Sequence, residues 1–427
     1  MAANAGRLLW VPCRPRLRLV RPIAGHRAFP MGRAASTSSN PSFSAPIHAS
    51  HGDQCSSDTR SFSTTSAAQS APGSGKFNYH VAASYIAKGH KYVPSTHVFH
   101  FNPYNRVQPP KPGKSKSSRP ESGQDAFFVS RLGTNPHEVA LGVADGVGGW
   151  MDSGVDPADF SHAFCDYMAV TAHGFRPKAT SEAAGNTATL TARELMQSGY
   201  SAVCHDPSIK AGGSTAIVAL LAEDGTLEVA NLGDSGYILL RLNGVHAASE
   251  PQTHAFNTPY QLSVVPPSML LRAAAFGGAQ LMDQPRDAEV TRLGLRHGDV
   301  LIFASDGLWD NLFNQDILRV VSKTMKNVGA WASTEAGVQV SSDLTKYTKL
   351  PAASGQSAVT LQSLIATEIV GAAKSASLNR KLDGPFAKEV SKYYPHEKWH
   401  GGKEDDICAV VVVVSEEAEA AAPKAKL

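Results

Sequence analysis

The sequence predicts an α+β fold in which mainly antiparallel sheets are covered by helices. Short apolar runs rich in β-branched residues recur along the chain, and turns containing Gly, Asp and Asn separate them, which is typical of strands joined by hairpins. Segments whose apolar residues have helical spacing lie between groups of these runs. Strands and helices grouped in this way favour sheets with helices packed on them.

The predicted elements follow one another in a clear order. The first strand pair is Phe127–Val129 with Val139–Val143, on either side of a turn that contains Gly, Asn and Pro. A helix is predicted over Pro157–Ala172, because its large apolar residues recur with helical spacing. We expect hairpin turns at Glu223–Gly225 and Gly233–Gly236. The remaining strands are predicted at Thr215–Leu221, Leu227–Leu232, Tyr237–Leu240, Val300–Ala304 and Ile407–Val414.

The N-terminal segment predicts targeting to an organelle. It is rich in Ser and contains seven arginines but no acidic residue before Asp53, a composition typical of transit peptides. The alternative is a disordered basic tail without an address. We therefore divide the chain into a transit peptide with a disordered linker (1–70), one folded domain (77–415) and a disordered tail (416–427). Within the domain, Ser322 to Lys374 is expected to form a Ser-rich helical insertion.

Charge and cysteine usage exclude several classes of protein. The formal net charge is +3, but the N-terminal arginines account for it and the remaining sequence is slightly acidic, so no nucleic-acid groove is predicted. The five cysteines include no C-x-x-C pair, and they predict neither a disulfide framework nor a zinc site. No apolar run approaches the roughly 20 residues that span a bilayer, so no transmembrane segment is predicted.

Three aspartates stand at the ends of apolar, strand-like runs. Asp145 ends VALGVAD and is followed by Gly146, Asp306 ends LIFASD, and Asp405 precedes ICAVVVVV. Carboxylates are hard ligands that suit Mg²⁺ or Mn²⁺, and a glycine lets a backbone carbonyl approach an ion closely. Each aspartate also has an ordinary alternative. These are a β-turn for Asp145, a helix N-cap for Asp306 and an exposed loop end for Asp405.

Further acidic residues accompany these three. Asp310 would share a helix face with Asp306, Asp234 occupies the predicted turn at Gly233–Gly236, and Asp125 precedes the first strand pair. Several carboxylates at strand ends, with no Lys or Arg partner in the motifs, predict divalent cations. Two ions about 3.5–4 Å apart can activate a water molecule and clamp a phosphoryl oxygen. The pattern therefore predicts a two-metal site that hydrolyses phosphate esters.

Six motifs carry a resemblance to a known family. In the order GQDAFF, GVADGVGGW, GGSTAIVALL, NLGDSGYILLR, FASDGLWDNL and EDDICAVVVV, they closely resemble the metal-dependent type-2C protein phosphatases. The strings FNTPYQLS (256–263) and VGGWMDSGVDPADFS (147–161) are similar to the mitochondrial (organellar) branch of that family. The resemblance covers about residues 77–415. It implies a four-layer α-β-β-α sandwich of two mainly antiparallel sheets flanked by helices, with the metal cleft between the sheets.

The resemblance also implies roles for individual residues. Asp145 would bridge two metal ions, and Gly146 would offer its carbonyl oxygen. Asp306 and Asp405, rather than Asp406, would complete the two-metal site. Asp145, Asp306 and Asp405 are therefore the expected catalytic residues.

Other positions match the family or depart from it. Asp234 and Asp310 match the acidic residues of a third, looser ion, and Asp125 with Gln124 would hold metal-bound waters. Gln124 stands where a Glu is common, which removes one charge from this water network. Val147 stands where many members carry a His that is thought to protonate the leaving group, so the general acid is unassigned.

The resulting hypothesis is a protein serine/threonine phosphatase that uses Mg²⁺ or Mn²⁺ and attacks phosphoserine or phosphothreonine with a metal-bridging hydroxide. We expect a monomer of the mitochondrial matrix, with the plastid as the alternative location, phosphorylated proteins as substrates, and Arg119 as a candidate phosphate ligand. The rival is a pseudophosphatase that binds a phosphoprotein without turnover, which the missing His and Glu favour and the retained carboxylates oppose. A metal-dependent nuclease is disfavoured, because no basic or aromatic stripe lies outside the N-terminal segment.

Overall fold

The computed structural model describes residues 76–107, 119–177, 189–275, 282–349 and 359–417. The strands in these ranges are β1 (Phe77–Ile86), β2 (Val98–His100), β3 (Asp125–Leu132), β4 (Asn135–Asp145), β5 (Gly212–Ser214), β6 (Ala216–Leu221), β7 (Thr226–Leu232), β8 (Gly236–Arg241), β9 (Gly244–Ala248), β10 (Thr253–Ala255), β11 (Thr258–Pro259), β12 (Leu262–Val264), β13 (Glu289–Gly294), β14 (Val300–Ala304), β15 (Trp331–Thr334), β16 (Gly337–Val340) and β17 (Ile407–Glu416). The helices are α1 (Pro157–Gly174), α2 (Ala192–His205), α3 (Pro267–Ala275), α4 (Asp306–Trp309), α5 (Asn314–Asn327), α6 (Thr345–Thr348), α7 (Leu361–Ser377) and α8 (Pro385–Tyr393).

Two antiparallel sheets form the centre of the fold. The six-stranded sheet has the order β2-β1-β17-β14-β8-β9, and the five-stranded sheet has the order β13-β7-β6-β4-β3. Strand β17 lies between β1 and β14, and it pairs with β1 along its whole length, from Phe77 opposite Glu416 to Ile86 opposite Ile407. Its nearly pure β-branched composition suits this central place, because both of its faces are buried.

The side chains of β17 show how the layers pack. Ile407 and Val411 point to one face and pack in a cluster with residues of α5 and α7. Val410 and Val412 point to the other face and pack in a second cluster with residues of the five-stranded sheet. A third cluster joins the outer face of that sheet to α1 and α2. The order helix, sheet, sheet, helix confirms the expected four-layer α-β-β-α sandwich.

Helix α1 shows why the outer layers form where the sequence predicted them. Asp156 is its N-cap and accepts a hydrogen bond from the backbone of Ala158, and Pro157 takes the first helical position, where its missing N–H costs nothing. Phe160 and Phe164 form part of a fully buried stripe that packs on the five-stranded sheet. The helix predicted over Pro157–Ala172 is therefore confirmed, and it extends two residues further, to Gly174.

Two local predictions are wrong. The turn at Gly233–Gly236 is not a hairpin, because β7 belongs to the five-stranded sheet and β8 to the six-stranded sheet. Asp234 therefore lies on a connection between the two sheets. The segment Ser322 to Lys374 is only partly helical, since β15 and β16 pair as a hairpin within it. The turn at Glu223–Gly225 does join paired strands, as predicted, because β6 and β7 are neighbours in register.

Other predictions concern parts of the chain that lie outside the described residues. These are the transit peptide and linker at 1–70 and nearly all of the tail at 416–427. The domain boundaries at 77 and 415 stay a prediction, and the strands run from Phe77 to Glu416. Among the described helices, none has the length and apolar character required to cross a membrane.

Candidate metal centre and active-site cleft

Four aspartates meet at one edge of the two sheets. Asp125 begins β3 and faces Asp145, the last residue of β4, in the register of that strand pair. Asp306 follows the end of β14, and Asp405 precedes the start of β17, which pairs with β14. Because neighbouring strands are antiparallel, the end of one strand and the start of the next lie at the same edge. The topology therefore brings together residues that are up to 280 positions apart in the chain.

A cleft opens at this edge. It has a volume of about 920 Å³. Six of the eight residues predicted to bind metal ions or metal-bound waters line it, namely Gln124, Asp145, Gly146, Asp234, Asp306 and Asp405. Asp125 and Asp310 are not among the residues that line it.

Asp125 is buried with only part of its hydrogen-bonding capacity used. Its side chain is 1% exposed, and its Oδ2 accepts a hydrogen bond of 2.6 Å from the Ser305 hydroxyl. Among the described residues its Oδ1 has no hydrogen-bond partner, and the same holds for Oδ1 of Asp234. Burial, together with neighbouring carboxylates, raises the pKa of Asp125 well above its usual value and raises that of Asp234 to about 8.

Asp145 is held in place through its backbone. Its N–H donates to Thr215 Oγ1 at 3.1 Å, and its carbonyl accepts from the Ser214 hydroxyl at 2.8 Å. Burial and then the nearby Asp306 carboxylate raise the pKa of the Asp145 side chain well above its ordinary value. Next in the chain, Gly146 passes so close to Pro157 that a Cβ would lie 2.9 Å from the proline backbone. A residue without a side chain is therefore required at position 146.

Helix α4 presents two carboxylates to the same place. Its N-cap is Ser305, and Asp306 is the first residue within the helix, so the alternative of Asp306 as an N-cap is wrong. One turn later, Asp310 ends the helix on the same face. The Nζ atom of Lys403 lies 2.6 Å from Oδ2 of both Asp306 and Asp310.

Lys403 corrects the expectation that the carboxylates have no basic partner. Its Nζ also lies 3.2 Å from Asp405 Oδ2. Burial acts to raise the pKa of Asp306, but the ammonium of Lys403 outweighs it, and the net pKa is lowered. At Asp310 burial outweighs the same ammonium, so that its pKa is raised to about 7. The three carboxylates raise the pKa of Lys403 in turn, against the effect of burial.

The adjacent Asp405 and Asp406 have different surroundings. Asp406 accepts hydrogen bonds from the backbone N–H groups of Lys88, at 2.6 Å, and Gln124, at 2.8 Å, one on each of its oxygens. Asp405 contacts the ammonium of Lys403, which also contacts Asp306 and Asp310. The assignment of Asp405, rather than Asp406, as a metal ligand stays a prediction.

The residues at this edge fit a divalent ion in their chemistry. They offer hard carboxylate oxygens, and two of these oxygens, on Asp125 and Asp234, are buried without a partner among the described residues. Within those same ranges, no three His, Cys, Asp or Glu side chains are grouped closely enough to hold an ion by themselves. A divalent ion at this edge would therefore complete its coordination with backbone carbonyls and water, as Mg²⁺ commonly does.

Comparison with known proteins identifies the family. Residues 112–347, more than half of the chain, match the family described as Protein phosphatase 2C. This chain belongs to the protein phosphatase 2C family. It is similar to Protein phosphatase 2C homolog 7, mitochondrial, of Saccharomyces cerevisiae, with 33% identity over 70% of this chain and 76% of the yeast protein. It is also similar to Protein phosphatase PTC7 homolog of Xenopus laevis, with 32% identity over 69% of this chain and 82% of the frog protein.

A solved structure shares the fold of this protein phosphatase 2C. The photosystem II phosphatase PBCP superposes with a TM-score of 0.50 and 22% identity, over 79% of this chain and 98% of that protein. The resemblance proposed from the six sequence motifs is therefore confirmed, and the chain is a protein serine/threonine phosphatase of the 2C type.

The structure of this protein phosphatase 2C also places the two departures from the family pattern and the candidate phosphate ligand. Val147 and Gln124 both line the cleft, so the absent His and Glu would have faced it. Arg119 lies on the cleft wall, with its guanidinium beside Asp159 and 3.7 Å from Asp156. Its role as a phosphate ligand stays a prediction.

Sequence reasoning missed two residues at the cleft, since Ser305 holds Asp125 and Lys403 contacts three carboxylates. It named Asp406 but did not predict that this side chain binds two backbone amides. Lys403 directly precedes the motif EDDICAVVVV, so the sequence shows a basic residue at this point. It does not show the direction in which that side chain points.

Proposed function

We propose that this protein phosphatase hydrolyses phosphoserine and phosphothreonine in proteins and requires two divalent ions, Mg²⁺ or Mn²⁺. The observation that carries the proposal is the set of buried carboxylates at one edge of the two sheets, two of which keep an oxygen without a partner among the described residues. In proteins, the desolvation of an unpaired carboxylate costs on the order of several kcal/mol per group. Bound cations would offset this cost in a fold that retains such carboxylates.

The residues of the chain have distinct parts in this proposal. Asp145, Asp306 and Asp405 would hold the ions, and the backbone carbonyl of Gly146 would add a ligand. Bound ions supply a water activated at neutral pH and a clamp on a phosphoryl oxygen for in-line attack. Asp125 would orient water molecules, because Ser305 fixes one of its oxygens and leaves the other to accept a hydrogen bond.

Arg119 is placed to bind the phosphate of the substrate. A guanidinium can donate two parallel hydrogen bonds to phosphate oxygens, and Asp159 and Asp156 hold this one at the wall of the cleft. Substrate binding at this residue would add a contact to a group whose charge is already compensated. The expected benefit is therefore orientation of the phosphate more than raw affinity.

Hydrolysis of phosphopeptides by the purified full chain tests the proposed reaction. With Mn²⁺ or Mg²⁺ present, phosphoserine and phosphothreonine peptides should release phosphate, and excess EDTA should abolish the release. Equal activity in EDTA would refute the metal dependence. Metal binding measured by calorimetry, without phosphate release from any phosphopeptide, would support the pseudophosphatase instead.

We also propose a mitochondrial location. The composition of residues 1–70 supports it, as does the name of the yeast relative, Protein phosphatase 2C homolog 7, mitochondrial. Residues 1–70 fused to a fluorescent protein should direct the fusion to mitochondria. Accumulation in plastids, or no organellar signal, would contradict this.

A further inference from the structure

The ammonium of Lys403 lies among three carboxylates of the proposed metal site. Its Nζ is 2.6 Å from Asp306 Oδ2, 2.6 Å from Asp310 Oδ2 and 3.2 Å from Asp405 Oδ2. The side chain is 14% exposed. The ammonium donates hydrogen bonds to Asp306 and Asp310 and forms an ion pair with Asp405, so all three carboxylates compensate its charge.

The backbone of Lys403 is fixed by Asn311. The Lys403 N–H donates to Asn311 Oδ1 at 3.0 Å, and Asn311 Nδ2 donates to the Lys403 carbonyl at 2.8 Å. Asn311 itself is 4% exposed and donates to the carbonyl of Gly307 within helix α4. The Lys403 ammonium also lies 5.0 Å from the centroid of the Phe386 ring, a cation–π contact. The lysine is therefore clamped to the same helix that carries Asp306 and Asp310.

The contacts of Lys403 coincide with a position expected for a metal ion. Asp234 and Asp310 are the acids that the family resemblance assigns to a third, looser ion, and Lys403 contacts Asp310 together with Asp306. An Mg²⁺ ion binds carboxylate oxygens at about 2.0–2.1 Å, so an ion on the Oδ2 atoms of Asp306 and Asp310 would overlap the ammonium of Lys403. The ammonium also supplies positive charge to the same oxygens. One cation excludes the other.

We propose that the Lys403 ammonium is the third cation of this site, so that the protein takes two divalent ions and has no place for a third. The proposal rests on the two-ion site proposed above. The proposal predicts that each chain binds two divalent ions. Asp310 then serves to hold Lys403 and does not bind a metal ion.

The stoichiometry of Mn²⁺ binding tests this directly. The full chain is equilibrated with increasing Mn²⁺, and bound metal is counted by equilibrium dialysis with atomic absorption. Wild type should bind two ions per chain. Lys403→Gln should bind a third, weaker ion, because the freed oxygens of Asp306 and Asp310 become available. The matched control is Lys374→Gln, which removes another nearly buried lysine, 3.0 Å from Glu404 and outside the carboxylate group, and should still bind two ions.

Three results would overturn the proposal. They are three ions bound to wild type, two ions bound to a folded Lys403→Gln, and a rise from one ion to two in that variant, which would mean that Lys403 blocks a main ion instead. Absence of any Mn²⁺ binding to wild type would instead refute the proposed two-ion site, so the two failures are distinguishable.

A second variant guards against misfolding of Lys403→Gln. The double change Lys403→Gln with Asp310→Asn removes the ammonium together with the charge of one of its carboxylate partners. Thermal unfolding in EDTA should show this variant to be more stable than Lys403→Gln alone, and it should bind two Mn²⁺ ions. Three ions in the double variant would overturn the role given to Asp310.

Discussion

The Asp406 carboxylate accepts a hydrogen bond of 2.8 Å from the backbone N–H of Gln124, which ties the start of β17 to the residue before β3. Its other oxygen accepts from the backbone N–H of Lys88, which lies just after β1. One side chain thus joins three chain segments at the wall of the cleft. Asp405, next to it, has no such backbone contacts to other segments among the hydrogen bonds of the described residues.

This difference predicts separable effects of two neighbouring substitutions. Asp406→Asn should lower the free energy of unfolding by about 1.5–3 kcal/mol, because an amide replaces one accepting oxygen with a donor that faces a backbone N–H. Asp405→Asn should leave stability in EDTA nearly unchanged and weaken Mn²⁺ binding. Urea unfolding in EDTA and Mn²⁺ titration of both variants measure the two effects. A reversed pattern would mean that Asp406 is the ligand.

Asp145→Asn should strongly reduce turnover while leaving the fold intact. A loss of about 4 kcal/mol of metal-dependent stabilisation of the transition state corresponds to a fall of about 10³-fold in kcat. The same variant should not lose stability in EDTA, because burial disfavours the charged form of this carboxyl and an amide carries no charge. Phosphopeptide kinetics and thermal unfolding give the two values. Retained activity would refute the proposal that Asp145 helps to hold the ions.

Three glycines near the cleft differ in the space available for a side chain, and this difference predicts different costs of substitution. A Cβ at Gly307 would lie 1.9 Å from the Asp406 carbonyl oxygen, and one at Gly146 would lie 2.9 Å from the Pro157 backbone. Alanine at either position should cost about 1–3 kcal/mol and reduce activity, because backbone must move. Gly149→Ala is the control, since a Cβ there meets nothing within 4 Å. Chemical denaturation of the three variants tests the contrast, and equal losses would contradict it.

His80 predicts part of the acid sensitivity of the fold. Burial, assisted by Lys349, lowers the pKa of His80 from 6.5 to about 4, and its Nε2 lies 2.9 Å from the Ser415 hydroxyl across the β1–β17 pair. Above pH 6.5, His80 is neutral in both the folded and the unfolded chain. As the pH falls towards 4, the unfolded chain binds a proton at this residue and the folded chain does not, so the free energy of unfolding falls. The full loss is about 3 kcal/mol.

His80→Gln should therefore be less sensitive to acid than wild type. The fall in unfolding free energy between pH 6.5 and 4 should be smaller in the variant by about 2–3 kcal/mol, measured by urea unfolding in EDTA. Other titrating groups cancel in the difference between the two proteins. His205→Gln, at the exposed end of α2, is the control and should follow wild type. An unchanged pH slope in His80→Gln would contradict the prediction.

Arg119→Met should reduce kcat/KM for phosphopeptides by about 10–100-fold, which corresponds to the loss of charge-assisted hydrogen bonds worth about 1.5–3 kcal/mol. Arg292→Met is the control, because Arg292 pairs with Glu228 on β7, away from the cleft. Steady-state kinetics on one phosphopeptide compare the two variants. Equal kinetics for Arg119→Met and wild type would remove Arg119 from the site.

The sequence predicts those parts of the fold in which burial requires a characteristic pattern of apolar residues. The run Ile407–Val414 predicts a strand, and its nearly pure β-branched composition matches the burial of both faces of β17 in the structure. The connection through Asp234 was predicted wrongly, because Gly and Asp provide the same turn chemistry to a hairpin and to a passage between sheets. Turn residues report local backbone geometry and do not report which strands pair.

The acidic residues at the cleft could be predicted from the sequence, but the side chains that contact them could not. Asp145, Asp306 and Asp405 could be found because each stands at the end of an apolar strand. The partners Ser305 and Lys403 could not be assigned, because a side chain that crosses between segments leaves no periodic signal. Asp405 and Asp406 have different surroundings because they are adjacent, and successive side chains of an extended segment point in opposite directions.

The pairing of β1 with β17 has a consequence for when the enzyme can become active. The first strand of the domain and the last lie side by side at the centre of one sheet, and β17 separates β1 from β14. Until β17 has paired with β1 and β14, this sheet lacks its middle and Asp405 has no fixed place. The cleft is therefore complete only after the last strand of the domain has been synthesised.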